Sequence, residues 1–232
     1  MQQYLTQISQ CPLFSRISSA DLSSALTFLS AKAVRFEKDA IILHQGTPPK
    51  VFGLVLEGSA HVLSIDVSGN RTLVTALRAG DLFAETFVFS GISAIPVSVV
   101  AAQDCTVLLL DHSRMAMHRQ SDFPAHAILI ANLLRILSNK NLQLSQKITI
   151  LSQRTTRDKL IAYLLAQQKL AGSPRFTIPL NRQELADYLC VDRSAMSAEL
   201  GKMKKAGLIA CRKNEFEIVA LHHEDSELLR QP

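Results

Sequence analysis

Several features are missing from this chain of 232 residues. No run of about 18 uncharged apolar side chains occurs, which excludes an ordinary membrane-spanning helix. The opening stretch, MQQYLTQISQCPLF, has no basic start followed by an apolar core, so no secretory leader is read and the cytoplasm is the expected compartment. Cysteine is scarce: Cys11, Cys105, Cys190 and Cys211 stand alone, with no CxxC pair and no His/Cys cluster at zinc-ligand spacing. No metal and no cofactor is therefore expected. A G-x-S-x-G elbow, a phosphate-binding loop and paired carboxylates beside a nucleophile are also missing, and with them the usual signatures of an enzyme.

What is present suffices for a folded core, since 47% of the residues are hydrophobic. Charge is spread unevenly. Residues 1–111 carry 7 basic and 9 acidic side chains, a net of −2, whereas residues 154–213 carry 12 and 5, a net of +7. The stretch between them, 112–153, has a net of +4, and the tail 214–232 a net of −4. A basic block beside a slightly acidic half suggests that one end meets a polyanion.

Along the chain the hydrophobic period changes. Residues 9–30 read as short helices, with Ser19 and Asp21 able to cap a segment bearing Leu22, Leu26 and Leu29 at helical spacing. From about 33 to 111, short β-branched and aliphatic runs alternate with turn residues: AIILHQG, VFGLVLEG, AHVLSIDVSGN, RTLVTALRAGD, IPVSVVAAQD and CTVLLLD. Such spacing predicts an all-β sandwich or barrel, with Gly46, Gly58, Gly69 and Gly80 at turns and a hairpin at Ser68-Gly69-Asn70.

Residues 122–153 then read as one long helix, capped by Asp122 with Pro124 in its first turn. Ile130, Leu137, Leu144 and Leu151 recur at one heptad position, and Leu134, Asn141 and Ile148 at another. This is the pattern of a dimer seam, with Asn141 setting register. A second stripe, Leu129, Leu133 and Ile136, is available to pack on the barrel. The linker to the next domain is expected near 152–156, which divides the chain into 1–121, 122–153 and 154–232.

The most informative stretch is LNRQELADYLCVDRSAMSAELGKMKKAGLI, residues 180–209. Asn181 and Glu184 form a capping-box pattern that starts one short helix. Cys190-Val191 makes a tight turn, and Asp192 caps a second helix with Met196, Leu200 and Met203 on one face. Gly207 ends it, and LIACRKNEFEIV follows as two strands around a polar turn. Two short helices, a tight turn and a β-wing make a winged helix-turn-helix. The second helix of such a unit enters the major groove, so its exposed N-terminal residues Arg193, Ser194, Ser197 and Ala198 are the candidate base readers. Thr177, Arg182, Lys202, Lys204, Lys205, Arg212 and Lys213 are candidates for phosphate contacts.

CPLF with its short helices, LEGSAHV, AGDLFAE and the 180–209 motif together resemble the Crp/Fnr superfamily of bacterial regulators. The resemblance covers nearly the whole chain. It implies an α+β architecture: an N-terminal β jelly-roll of the cyclic-nucleotide-binding type, a long dimerisation helix and a C-terminal winged helix-turn-helix. It further implies a homodimer, a double-stranded DNA operator with inverted-repeat half-sites, RNA polymerase as a partner, and a barrel that gates DNA binding through a small effector.

Several positions depart from that family. Cyclic-nucleotide-binding members hold the ribose with a glutamate and the cyclic phosphate with an arginine about ten residues on. Here Glu85 follows Ala84, but Ile95-Pro96 occupies the place of the arginine pair, and an apolar pair cannot replace a guanidinium fork. Cyclic AMP is therefore not expected. Glu85, Thr86, Phe87, Phe89, Ile95, Pro96 and Val97, with Leu144 and Ser145 of the long helix, describe an apolar pocket for a small hydrophobic effector, or a collapsed pocket and effector-independent binding. The histidines His44, His61, His112, His118 and His126 are scattered, which argues against haem. Cys190, in the turn of the DNA-binding motif, leaves a thiol switch with Cys11 or Cys211 as the alternative. The recognition helix also lacks the glutamate and arginine of close relatives, carrying Ser194 and Ala198 instead, so its operator is expected to differ from theirs.

Overall fold

A computed structural model describes residues 2–66, 71–116 and 125–219. Helices α1 (Leu5–Gln10) and α2 (Ser19–Phe28) come first, with 3-10 turns at Gln2–Tyr4 and Pro12–Phe14. The expected cap of α2 shifts by one residue. Ser18, not Ser19, accepts the Asp21 N–H at 3.1 Å, and its hydroxyl donates to the Asp21 carboxylate at 2.6 Å.

The β-rich half contains β1 (Lys32–Phe36), β2 (Ile41–Leu43), β3 (Val51–Glu57), β4 (Ser59–Ile65), β5 (Arg71–Arg78), β6 (Leu82–Phe83), β7 (Ser98–Ala101) and β8 (Cys105–Asp111), with the short helix α3 (Glu85–Phe89) after β6. They form two four-stranded sheets ordered β1-β8-β3-β6 and β2-β7-β4-β5, the jelly-roll arrangement expected. The central strands β3 and β8 are apolar on both faces, as strands covered on both sides must be. Gly58 joins β3 to β4 at φ +78, where a Cβ would lie 2.3 Å from the Asp104 carbonyl oxygen, so only glycine fits this crossing of chains. The hairpin expected at 68–70 and the helix start at Asp122 and Pro124 lie outside the described residues.

After α4 (Ser113–Ala116), the 26-residue helix α5 (His126–Leu151) begins. Next come α6 (Thr156–Ala171), β9 (Arg175–Thr177), α7 (Arg182–Leu189), α8 (Arg193–Lys205), β10 (Ile209–Arg212) and β11 (Glu215–Ile218). Strands β10, β11 and β9 form one antiparallel sheet, in that order. Two strands were expected here. The third, β9, joins because Phe176 sits directly opposite Phe216 and stacks on it at 6.2 Å.

By its contacts the chain divides into two compact units, one ending at Asn139 and the other starting at Lys140. The division falls within α5, whereas the sequence places the linker at 152–156. In the first unit Phe14, Phe52, Leu54, Leu108 and Leu110 form the core together with Leu129 and Leu133 of α5. Ile130, Ile136 and Leu137 pack against that core from its edge. In the second, Ile150 of α5 joins Leu160, Leu164, Leu185, Leu189, Met196, Met203 and Phe216.

Candidate nucleic-acid interface

Helix α7 starts where the chain gives it a complete capping box. The Asn181 side chain accepts the N–H groups of Gln183 and Glu184 at 2.9 and 3.0 Å, and the Glu184 carboxylate accepts the Asn181 N–H at 2.7 Å. The helix stops at Cys190, held in the left-handed region at φ +52, with the Val191 N–H returning to the Ala186 carbonyl at 3.0 Å. Two residues later Asp192 starts α8, accepting from the N–H groups of Ser194 and Ala195 at 2.9 Å each and from the Ser194 hydroxyl. Those bonds, that of the Ser194 hydroxyl first, hold the Asp192 carboxyl below its usual range. At the far end Gly207 takes φ +71, and the Leu208 N–H closes onto the Met203 carbonyl at 3.0 Å.

These ends fix the rotation of α8. Met196, Leu200 and Met203 face the core, while Arg193, Ser194, Ser197, Ala198, Gly201, Lys204 and Lys205 stand exposed. A helix with one buried stripe and one face of small polar residues flanked by cations is shaped to enter a groove between phosphates. Asp192 already employs the Ser194 hydroxyl, which leaves Arg193 and Ser197 as the candidate base readers not engaged in the cap.

The candidate phosphate contacts sort into two groups. Thr177, Lys204, Lys205, Arg212 and Lys213 are exposed. Lys202, also exposed, is tied to Glu199 at 3.1 Å. Arg182 does not stand free in solvent: its guanidinium lies 4.9 Å over the Phe216 ring, and its Nη1 is buried. Sequence pattern gives no sign of this, because the ring is supplied by a strand far along the chain. Beside the wing lies a groove of about 500 Å³, bordered by Lys204, Cys211, Arg212, Phe176 and Phe216. Arg175, which also borders this groove, pairs with Glu217 at 2.9 Å, which neutralises that charge.

In the barrel, the residues expected to line an effector pocket differ in exposure. Glu85, Ile95 and Val97 are buried, Phe87 is half-buried, and Thr86 and Pro96 are exposed. Ile95, 2% exposed, is part of the hydrophobic core, and its backbone bonds to Thr47 at 2.9 Å and Gly46 at 2.8 Å. The place where a cyclic phosphate would need a guanidinium thus holds a core aliphatic. Leu144 and Ser145 are exposed on α5 in the other unit.

Along the expected seam, Leu134, Leu144 and Ile148 are 59%, 60% and 68% exposed, and Asn141 is exposed too. Ile130, Leu137 and Leu151 are partly covered within the chain. Among the cysteines, burial pushes the thiols of Cys11 and Cys105 up, whereas Cys190 is exposed.

Comparison with known proteins agrees with this geometry. Residues 33–122 match the family described as cyclic nucleotide-binding domain, and residues 158–223 that described as Crp-like helix-turn-helix domain. The chain belongs to the Crp/Fnr family of DNA-binding transcription regulators. Electron transport regulator A of Shewanella oneidensis is 23% identical over 202 residues, covering 81% of this chain and 74% of its own. The anaerobic regulatory protein of Bacillus subtilis is 21% identical over 223 residues, covering 94% and 91%. Among solved structures, the c-di-GMP responsive global regulator CLP of Xanthomonas campestris has the same fold at a TM-score of 0.56. It is 16% identical, and the match covers 88% of this chain and 100% of that one. Among the described residues of this Crp/Fnr regulator, no helix is long and apolar enough to cross a membrane.

Proposed function

We propose that this regulator is a cytoplasmic homodimer, paired through the α5 seam, that binds an inverted-repeat operator and is gated by a small effector other than cyclic AMP. The single observation that carries the DNA-binding part is the face of α8: Arg193, Ser197, Ala198 and Gly201 exposed opposite a fully buried Met196-Leu200-Met203 stripe. Arg193 reads a guanine edge, Ser197 a neighbouring base, and Thr177, Lys204 and Arg212 hold phosphates. The exposed Leu134, Leu144 and Ile148 support the seam. In the family RNA polymerase is the next partner, and we extend that to this chain.

The barrel's own residues argue against cyclic AMP. An anionic phosphate seated at Ile95-Pro96 would lose its water without gaining a cation. A small hydrophobic effector suits the aliphatic and aromatic side chains around α3 better. The exposed thiol of Cys190, at the turn between α7 and α8, favours a thiol-switched regulator as the second reading.

The test is selection of duplex DNA from a random pool by the full-length protein, followed by gel shifts with a salt titration. Specific binding that weakens steeply with salt is expected. No selected duplex at any salt, with or without candidate effectors, overturns the operator-binding reading. Thermal melting adds the effector arm: cyclic AMP leaves the midpoint unchanged, whereas a hydrophobic ligand of the barrel raises it.

A further inference from the structure

Helix α5 carries two working faces in its last three turns. One bears Asn141, Leu144, Ile148 and Leu151, the lower half of the seam. The other bears Lys147 and Ile150, three residues apart and so one above the other on the helix surface. Ile150 is 2% exposed and belongs to the hydrophobic core of the DNA-binding unit. The ammonium of Lys147 lies 4.9 Å over the ring of Tyr188, which is on α7. Tyr188 in turn rests against the buried Tyr163 of α6, ring centroids 5.3 Å apart. Lys159 of α6 completes the junction, donating to the Leu189 carbonyl at the end of α7 at 3.3 Å. The lower seam and the helix-turn-helix belong to the same compact unit, which starts at Lys140.

We propose that Lys147 is a positioning residue that sets the half-site spacing this regulator accepts. It touches neither base nor phosphate in this reading. It clamps α7, the brace of the recognition helix, to the same helix that pairs with the second copy. The distance and rotation between the two recognition helices then follow from the packing of two α5 segments. A cation over a half-buried tyrosine ring suits this role: it is directional in distance, and it persists where an exposed ion pair would be screened. The proposal rests on the dimeric, operator-binding reading above.

The experiment uses the full-length protein and the duplex it selects, with one base pair inserted or deleted between the half-sites, and a duplex carrying a single half-site. Lys147→Met keeps the aliphatic stem and removes the charge. It should lower affinity for the natural spacing by about threefold to tenfold and narrow the discrimination against altered spacing by a similar factor. Affinity for the single half-site should stay as in the wild type. Lys147→Arg should restore the discrimination, and Tyr188→Leu should reproduce its loss while Tyr188→Phe does not. Unchanged spacing discrimination in both Lys147→Met and Tyr188→Leu overturns the proposal. So does an equal loss on single and paired half-sites, which would make Lys147 a support of the fold alone. Failure of the wild type to select any duplex is a different result, and overturns the operator-binding reading itself.

Discussion

Asn132 reaches from the long helix to the start of the chain, donating from one amide nitrogen to the Leu13 carbonyl at 2.9 Å and the Ser15 carbonyl at 2.7 Å. The side chain is 2% exposed and its bond to Leu13 is buried, so water is no ready substitute there. Asn132→Leu keeps the size and removes both bonds. Stability should fall by about 2–3 kcal/mol, read as a lower denaturant midpoint, because buried acceptors left without donors cost their full desolvation. A loss within about 0.5 kcal/mol, the size of a neutral surface change, would show that the pair of bonds contributes little.

The capping box of α7 gives a second expectation. Asn181→Ala removes the acceptor for two N–H groups and should cost about 1 kcal/mol of stability. Asn181→Asp should be nearly silent in the same urea titration, since a carboxylate caps equally well and favours the helix N-terminus.

Gly201 separates stability from DNA binding. It stands exposed in α8, and a Cβ added there would meet nothing within 4 Å. Gly201→Ala should therefore raise stability by about 0.5–1 kcal/mol through helix propensity. If α8 lies against a groove, the added methyl instead lowers operator affinity. Calorimetry and gel shifts on the same sample should move in opposite directions; a rise in both would remove Gly201 from the interface.

Acid sensitivity follows from Asp192. Its folded-state pKa lies below the unfolded value, so its contribution is present above about pH 4 and is lost as pH falls through the lower folded value. Asp192→Asn preserves an acceptor at the cap without a titrating proton. Between the wild type and this variant, the difference in stability should change only below about pH 4. A difference that varies between pH 5 and 8 would contradict the assignment.

Cys190 holds a left-handed backbone that costs a side chain about 1–2 kcal/mol. Cys190→Gly should be more stable than the wild type by about 0.5–1 kcal/mol, since glycine's greater freedom when unfolded offsets part of the relief. The same variant tests the thiol reading: if operator affinity in the wild type falls on oxidation and that of the variant does not, Cys190 is the switch.

The helix-turn-helix was legible because its punctuation is local. Asn181, Asp192 and Gly207 act on residues within one helical turn, so their spacing alone reveals them. Strand β9 was not legible: three residues after a helix carry no period, and its reason to exist is Phe216, far along the chain. Asn132 reads as a polar interruption on an apolar stripe, and nothing nearby announces that its partners lie at Leu13 and Ser15. Arg182 reads as a solvent cation until Phe216 is placed beneath it. Ile95 and Val97 show the opposite ambiguity. An apolar residue in a β-run looks the same whether it lines a ligand pocket or fills a core, and the structure puts both in the core.

Helix α5 seats Leu129, Asn132 and Leu133 in one hydrophobic core and Ile150 in another. The protein therefore has no clean cutting point on either side of that helix. A fragment ending before His126 would strip Leu129 and Leu133 from the first core and the Asn132 amide from Leu13 and Ser15, and one starting after Leu151 would remove Ile150 from the second core. A proteolytic map should show the sensor half surviving only with the first turns of α5 attached, and the DNA-binding half only with its last.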